Sequence, residues 1–375
     1  MRTGDTAMFQ ERGADVPIEW VYPGAEACEW VHDSEHWPAP LVPMELWLHK
    51  HWPSGLDRAW AEVGMEPPAV FYRLQYAGPF LYTRETPYGS ERMMRAGLRY
   101  RDVAREHGGA LTFWREYCRP RIEAVCREVA AAGDDAELRH IADLWAYGFH
   151  QTFTSLALLF EANMRLTAML TAAGGDAGAL AALEVIQGGA NATQAIDDEI
   201  WGLADLARRT PAVETALRRD TAPDELAALR REPKAGPFIA AFDALIERHG
   251  SRAQGWDLMQ RTWRESPASV LALIRARLNI EGPSPEVAAA ASAARRHAAT
   301  QRALSILPPD GHAEFSKTLA RLDGYVGIRE DRAYCQMVLS GEVRSLLLRI
   351  GARLMSSGRT ERADDVFFLE PHEIG

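Results

Sequence analysis

Eleven histidines are spread over the 375 residues, and four of them crowd one stretch: His32, His36, His49 and His51 lie within "WVHDSEHWPAPLVPMELWLHKHW". Imidazoles bind metals and move protons near neutral pH. A metal would need more carboxylate or thiolate ligands than the His49-Lys50-His51 pair brings with it, so ordinary polar contacts are the simpler reading. His150 interrupts an otherwise apolar helix face. It reads either as a core histidine satisfied by one hydrogen bond, or as a pocket base that orients a substrate hydroxyl. The Trp and Tyr density from Trp37 to Tyr88 has two readings as well, because a core and a pocket for an apolar ring use the same side chains. No phosphate-binding glycine loop, GxSxG, HExxH or CxxC is present.

These side chains need elements to hold them. Pro38, Pro40 and Pro43 predict an extended, turning segment, since proline lacks an N–H and fixes φ. The runs on either side of Ala77-Gly78-Pro79 read as a hairpin or a pair of strands. From about Glu91 the pattern is helical. Ile141, Leu144, Trp145, Phe149, Phe153, Leu156, Leu159 and Phe160 recur at helical spacing, and Gly174-Gly175 is a stop signal. Asn191 or Thr193 caps the next helix, with Asp197, Asp198 and Glu199 in its first turns. The polar, proline-punctuated stretch from Thr210 to Pro237 reads as a surface excursion with one short helix. Glu286 to Leu307 and Tyr334 to Ser357 predict two further helices, ended by Pro308-Pro309 and Gly358. The fold class expected is mainly α: a long-helix, bundle-like domain with a small β-hairpin element near the N-terminus. The chain is expected to be one domain, with residues 1–90 its aromatic, proline-rich part and 91–375 its helical part.

Composition is that of a globular protein, 47% apolar and 25% charged, with a net charge of −10. An acidic chain without a Lys/Arg block is a poor nucleic-acid binder. Cys28, Cys118, Cys126 and Cys335 are widely spread, without metal-ligand spacing. The first residues lack an apolar signal core, and the expectation is a cytoplasmic, soluble protein.

Four blocks in one order resemble the phosphoenolpyruvate synthase and rifampin phosphotransferase group of dikinases, in its substrate-binding module. The first is Trp30, Asp33, His36, Pro38, Pro40 and Pro43, similar to a Trp, Asp-x-x-His and spaced prolines. The second is partial: Asn191, Thr193, Trp201, Leu203 and Ala204. The third is "HGSRAQGWDLMQRTWRESP", with His249, Gly250, Arg252, Asp257, Trp263, Arg264, Glu265 and Pro267. The fourth, and most specific, keeps Arg329, Glu330, Asp331, Tyr334, Arg344, Gly351, Leu354, Gly358, Asp364, Asp365, Val366 and Phe367. Together they run from Trp30 to Leu369. Two positions depart from the family pattern: Ser251 stands for a His, and Gly255 for a Glu.

The resemblance implies a division of labour. An ATP-grasp module phosphorylates a histidine on a swivelling domain, which delivers the phosphoryl group to the substrate module while ATP becomes AMP and phosphate. This chain resembles the third module alone, which implies a split enzyme inactive without an ATP-grasp/phosphohistidine partner subunit. ATP and Mg are then expected on the partner, with no cofactor or metal on this chain. A small aromatic hydroxyl compound is the acceptor implied, and neither nucleic acid nor membrane is a partner. A non-catalytic binding or regulatory module is the alternative. Transfer needs cations around the moving oxygens, and Arg252, Arg329 and Arg344 are the candidates. Arg329-Glu330-Asp331 is equally readable as a structural ion-pair knot, and Arg264 is expected to pair with Glu265 or a nearby acid. His150, His36 or Asp257 is the candidate base. His36, Trp37, Met44, Tyr72, Tyr76 and Trp201 are the candidate acceptor-binding side chains. The tail "RADDVFFLEPHEIG" is expected to pack back through Val366, Phe367 and Leu369, near where the swivelling partner docks.

Overall fold

The computed structural model describes residues 30–34, 36–66, 72–77, 80–85, 90–186, 192–219, 225–253, 255–279 and 284–374. The β element lies where the aromatic runs put it. Strands β2 (Tyr72–Ala77) and β3 (Phe80–Glu85) pair antiparallel, with Tyr76 opposite Leu81. A third short strand, β1 (Val31–His32), joins the outer side of β3. The proline-rich segment is extended only as far as Val42. Helix α1 (Pro43–Lys50) begins on a proline, and α2 (Trp52–Ala61) has one at its second position. Both were absent from the expectation. Proline bars a helix interior but suits the first turn, whose N–H groups have no intrahelical acceptor.

Helix α3 (Ser90–Glu106) is followed by α4 (Ala110–Phe113), a π turn at Trp114–Cys118 and α5 (Arg119–Ala131). The axis of the molecule is α6 (Leu138–Ile186), which kinks at Gly175 and then resumes. Around it pack α2, α5, α12 (Pro285–Ile306), α13 (His312–Arg321) and α14 (Tyr325–Ser356). Their shared core includes Trp60, Phe113, Phe149, Leu166, Leu339 and Leu346. Among the described residues α6 alone is long and apolar enough to cross a membrane; many of its apolar side chains face this core, while Phe160, Met164, Leu180 and Leu183 are exposed.

A second apolar cluster is built from α7 (Ala192–Arg208), α8 (Pro211–Arg218), α9 (Glu225–Arg231), α10 (Gly236–His249) and α11 (Pro267–Asn279). The stretch from Thr210 to Pro237 is therefore two helices rather than an excursion with one. Val213, Leu217 and Leu229 are buried in the cluster, apolar positions that a polar average conceals. The caps expected at Asn191 and Thr193 lie outside the described side chains. Tyr334 is partly buried against both clusters.

The two bodies are tied by the loop from Gly250 to Ser266, which lies along α14. A Cβ on Gly341 would overlap the Ser251 carbonyl oxygen, so only glycine lets the loop sit this close. Arg344, 3% exposed, holds the rest of the loop. It meets the Glu265 carboxylate with Nε at 2.9 Å and Nη2 at 2.8 Å, and Nη1 donates to the Leu258 carbonyl at 2.6 Å. Its guanidinium also lies 4.8 Å from the Phe367 ring centre. That ring belongs to the tail, which packs back as expected with Val366 and Phe367 buried and Leu369 partly so. We expect Arg344→Ala to leave Glu265 half-buried and unpaired and to cost about 3 kcal/mol in urea unfolding. Arg344→Lys should restore only a minor part, having no planar fork.

Candidate functional site

Aromatic side chains from three parts of the chain converge beside the Gly250–Ser266 loop. Glu45 and His49 are four residues apart and share one face of α1. Trp52 opens α2, and Trp145, Phe149 and Phe153 repeat at the same spacing on α6. The rings touch in series: Trp37 to His49 at 4.9 Å, His49 to Trp52 at 5.3 Å, Trp52 to Phe149 at 4.5 Å and His49 to Trp145 at 5.2 Å. The loop contributes Trp256, which stacks on His36 at 4.2 Å and 9° and meets Phe149 edge-on at 5.5 Å. His36 and Trp256 are the partly exposed outer pair of an otherwise buried chamber.

Polar groups punctuate it. Asp33 accepts from the His36 backbone N–H at 3.1 Å and from Nδ1 at 2.9 Å, which leaves Nε2 as the outward nitrogen. Burial alone would raise the Asp33 carboxyl; the hydrogen bonds and charge of His36 hold it low. Trp37 Nε1 donates to Glu45 Oε1 at 3.0 Å, and the Leu258 N–H reaches Oε2 at 3.4 Å. Burial, and after it the neighbouring Asp257 carboxyl, to which it is hydrogen-bonded, push Glu45 well above the ordinary carboxylate range. His49 commits Nδ1 to the Glu45 carbonyl at 2.9 Å, and burial pulls its pKa down to about 4. His49 Nε2, Trp52 Nε1 and Trp145 Nε1 are buried without a hydrogen-bond partner in the protein, two donors and one acceptor in one cluster.

On the other flank, Arg252 lies over the Trp263 ring at 4.9 Å. Its Nε has no acceptor, and among the described residues no carboxylate is in ion-pair contact with it. Burial lowers its pKa, with the nearby Tyr334 opposing. Tyr334 in turn bonds His249 Nδ1 through its hydroxyl at 2.9 Å, and His249 Nε2 meets Glu199 Oε1 at 3.3 Å. Arg252 and Trp256 are four positions apart in the chain, so their Cα atoms are no more than about 14 Å apart.

The predicted site residues therefore divide. His36 and Trp37 line the chamber; Met44 is buried behind it, and Asp257 joins it through Glu45. His150 is also inside, fully buried beside Trp52 at 4.8 Å, hydrogen-bonded to the Trp52 backbone and held near pKa 3 by burial. That is the role of a core histidine. Arg344 is a structural clamp and not an open cation. Arg329 is 53% exposed and paired with Glu330 at 2.9 Å, the ion-pair reading of that motif. Glu265 is taken by Arg344 rather than by Arg264. Trp201 is on α7 of the second cluster, its ring under the Arg208 guanidinium at 5.2 Å. Tyr72 and Tyr76 are on β2, and their side chains lie outside the described residues. Glu45 and the Glu199–His249–Tyr334 series were missed. The only signal was the presence of His249 and Tyr334 in separate sequence blocks.

The larger surface grooves are elsewhere. One of about 960 Å³ lies between α12, α13 and α14, lined by Ala288, Ser292, Ala293, His297 and Phe315 among others. Its charged lining residues Arg296 and Asp323 are already paired with each other at 2.9 Å, and it lacks the ring stack and the buried unpartnered Trp and His nitrogens of the chamber, which is the better candidate.

Residues 151–330 match the family model of the rifampicin phosphotransferase fourth domain. The match includes Glu199, His249, Arg252 and Asp257, and ends just before Tyr334.

The buried titratable groups set a pH profile for stability. His49 and His150 stay neutral in the fold, whereas the unfolded chain protonates them near their ordinary value of 6.5. Stability is lost as pH falls below that value, by about 1.4 kcal/mol per pH unit for each histidine. Glu45 works oppositely: it keeps its proton when folded and loses it near 4.5 when unfolded, so its share is lost as pH rises. The histidine share rises with pH up to about 6.5 and levels off there, while the Glu45 share declines from about 4.5 upward. Urea unfolding between pH 5 and 8.5 should show the rise below 6.5, and Glu45→Gln should raise stability at the alkaline end relative to the acidic end.

Proposed function

We propose, from the match of residues 151–330 to the rifampicin phosphotransferase fourth domain, that this chain belongs with the phosphoenolpyruvate synthase and rifampin phosphotransferase-like family and is the acceptor-binding subunit of a dikinase-type phosphotransferase. It receives the phosphoryl group from a phosphohistidine on a partner subunit that carries the ATP and Mg chemistry. The acceptor is the hydroxyl of a small aromatic compound. The observation that carries this reading is Arg252. Of the three candidate arginines it alone has no carboxylate partner, and it shares a short loop with Trp256, the outer ring of the aromatic chamber.

The roles follow from the chemistry. The acceptor ring enters against His36 and Trp256, the exposed end of the stack, where flat apolar surfaces hold it. The Asp33 carboxylate keeps His36 in one tautomer and its ring flat against Trp256. Arg252 meets the non-bridging oxygens of the arriving phosphoryl group with its planar fork. A half-buried cation with no carboxylate in ion-pair contact is pre-organised for that charge and needs no rearrangement when it arrives. The Glu45–Asp257 pair and Arg344 fix the loop that carries Trp256 and Arg252.

A second reading is a binding or regulatory module without transfer. Ser251 and Gly255 favour it, since they stand where the resembling pattern has a His and a Glu, and Ser251 is buried against α14.

Mixing this chain with an ATP-grasp/phosphohistidine protein, ATP and a panel of phenols tests the first reading. We expect AMP together with a phosphoester. Arg252→Ala should lower ester formation roughly 10²–10³-fold while phosphohistidine formation on the partner is unchanged. His36→Ala should raise KM for the acceptor. Phenol binding without AMP in any pairing would favour the second reading.

A further inference from the structure

Transfer to a hydroxyl releases a proton. Of the candidate bases, His150 is enclosed among rings, Asp257 is hydrogen-bonded to Glu45, and His36 is stacked on Trp256 where the acceptor's ring is held. Beside Arg252 the geometry is different. Glu199 is on α7, His249 ends α10 and Tyr334 is on α14, so three helices from both apolar clusters bring one carboxylate, one imidazole and one phenol into a hydrogen-bonded line. We infer that Glu199, His249 and Tyr334 form a proton-accepting chain, with Tyr334 as the catalytic residue that takes the acceptor's hydroxyl proton. The inference rests on the transfer reading above.

The direction of each bond is set by the chemistry of its ends. Glu199 is an acceptor only, because the hydrogen bonds of Arg248 and His249 keep its carboxyl low against the effect of burial. Arg248 Nη2 reaches Glu199 Oε2 at 2.5 Å. His249 therefore carries its proton on Nε2, facing Glu199, and Nδ1 is the acceptor for the Tyr334 O–H. Burial, with the neighbouring Cys335, raises Tyr334 to about 12, so it is a phenol and not a phenolate before reaction. The remaining charged and titratable groups around the chain are Arg252 on the loop, Asp197 on α7, and Arg119 and Cys126 on α5.

The step balances within the chain. The acceptor's oxygen forms a bond to phosphorus as the phosphorus–nitrogen bond to the partner's imidazole breaks. That electron pair stays on the partner's imidazole, which leaves neutral with a proton on its other nitrogen. The acceptor's proton passes to the Tyr334 oxygen while Tyr334's own proton moves to His249 Nδ1. His249 becomes an imidazolium beside the Glu199 carboxylate, and Arg252 holds the phosphoryl oxygens. Glu199 is a positioning residue: it acts through His249.

The test has two arms. Two-dimensional ¹⁵N–¹H spectra of the histidine-labelled chain alone, with His249 assigned through His249→Gln, should show the Nε2–H tautomer. In the full assay with the ATP-grasp/phosphohistidine protein and phenol, Tyr334→Phe and His249→Gln should lower kcat about 100-fold with KM little changed. His249→Gln should also lose the acidic limb of the pH–rate profile, and Glu199→Asp should recover part of what Glu199→Gln loses. Tyr334→Phe keeps the ring, so packing is retained. Normal transfer by Tyr334→Phe, or an Nδ1–H tautomer at His249, overturns the proton chain and leaves the transfer reading standing. No phosphoester from the unaltered chain overturns both.

Discussion

One buried guanidinium organises this molecule. Arg344 projects from α14 and joins Glu265, the Leu258 carbonyl and the Phe367 ring. It thereby fastens the long loop and the tail to the same turn of helix. A desolvated cation is tolerable only where its donors are met, and here two carboxylate oxygens and a carbonyl meet them. The close seat of the loop on Gly341 depends on that attachment. So do the positions of Trp256, Asp257 and Arg252, which lie between the two anchors.

The ion pairs also decide which cations remain available. An arginine with a bidentate carboxylate has its fork occupied; one without a carboxylate presents it to whatever anion arrives. Arg344 and Arg329 are of the first kind and Arg252 is of the second. The same logic separates the histidines. His150 lies wholly inside, His49 is neutral among tryptophans, and His36 is oriented by Asp33 at an accessible edge. Residue type was alike within each group, and burial and partners made the difference.

Much of the fold was legible in the sequence. The 3.6-residue recurrence from Ile141 to Phe160 is a property of chemistry along the chain, and α6 follows it. Gly175, Pro308 and Gly358 ended or bent helices because backbone freedom is local. Local rules failed where position within an element mattered. Pro43 reads as part of an extended segment yet starts α1, and the stretch from Thr210 to Pro237 hid Val213, Leu217 and Leu229 in a polar average.

By itself the sequence determined the mainly α class, the hairpin beside Gly78 and the set of residues worth suspecting, since these depend on neighbours three or four positions away. It also carried the family resemblance that residues 151–330 bear out. The tertiary structure decided which suspects meet. Glu199 is 50 residues from His249, and His249 is 85 from Tyr334, so no spacing rule relates them. Glu45 is 213 residues from Leu258 and the loop it touches. Such pairings arise when helices of two apolar cores dock, and docking is set by the shapes of buried surfaces that no short window of sequence contains.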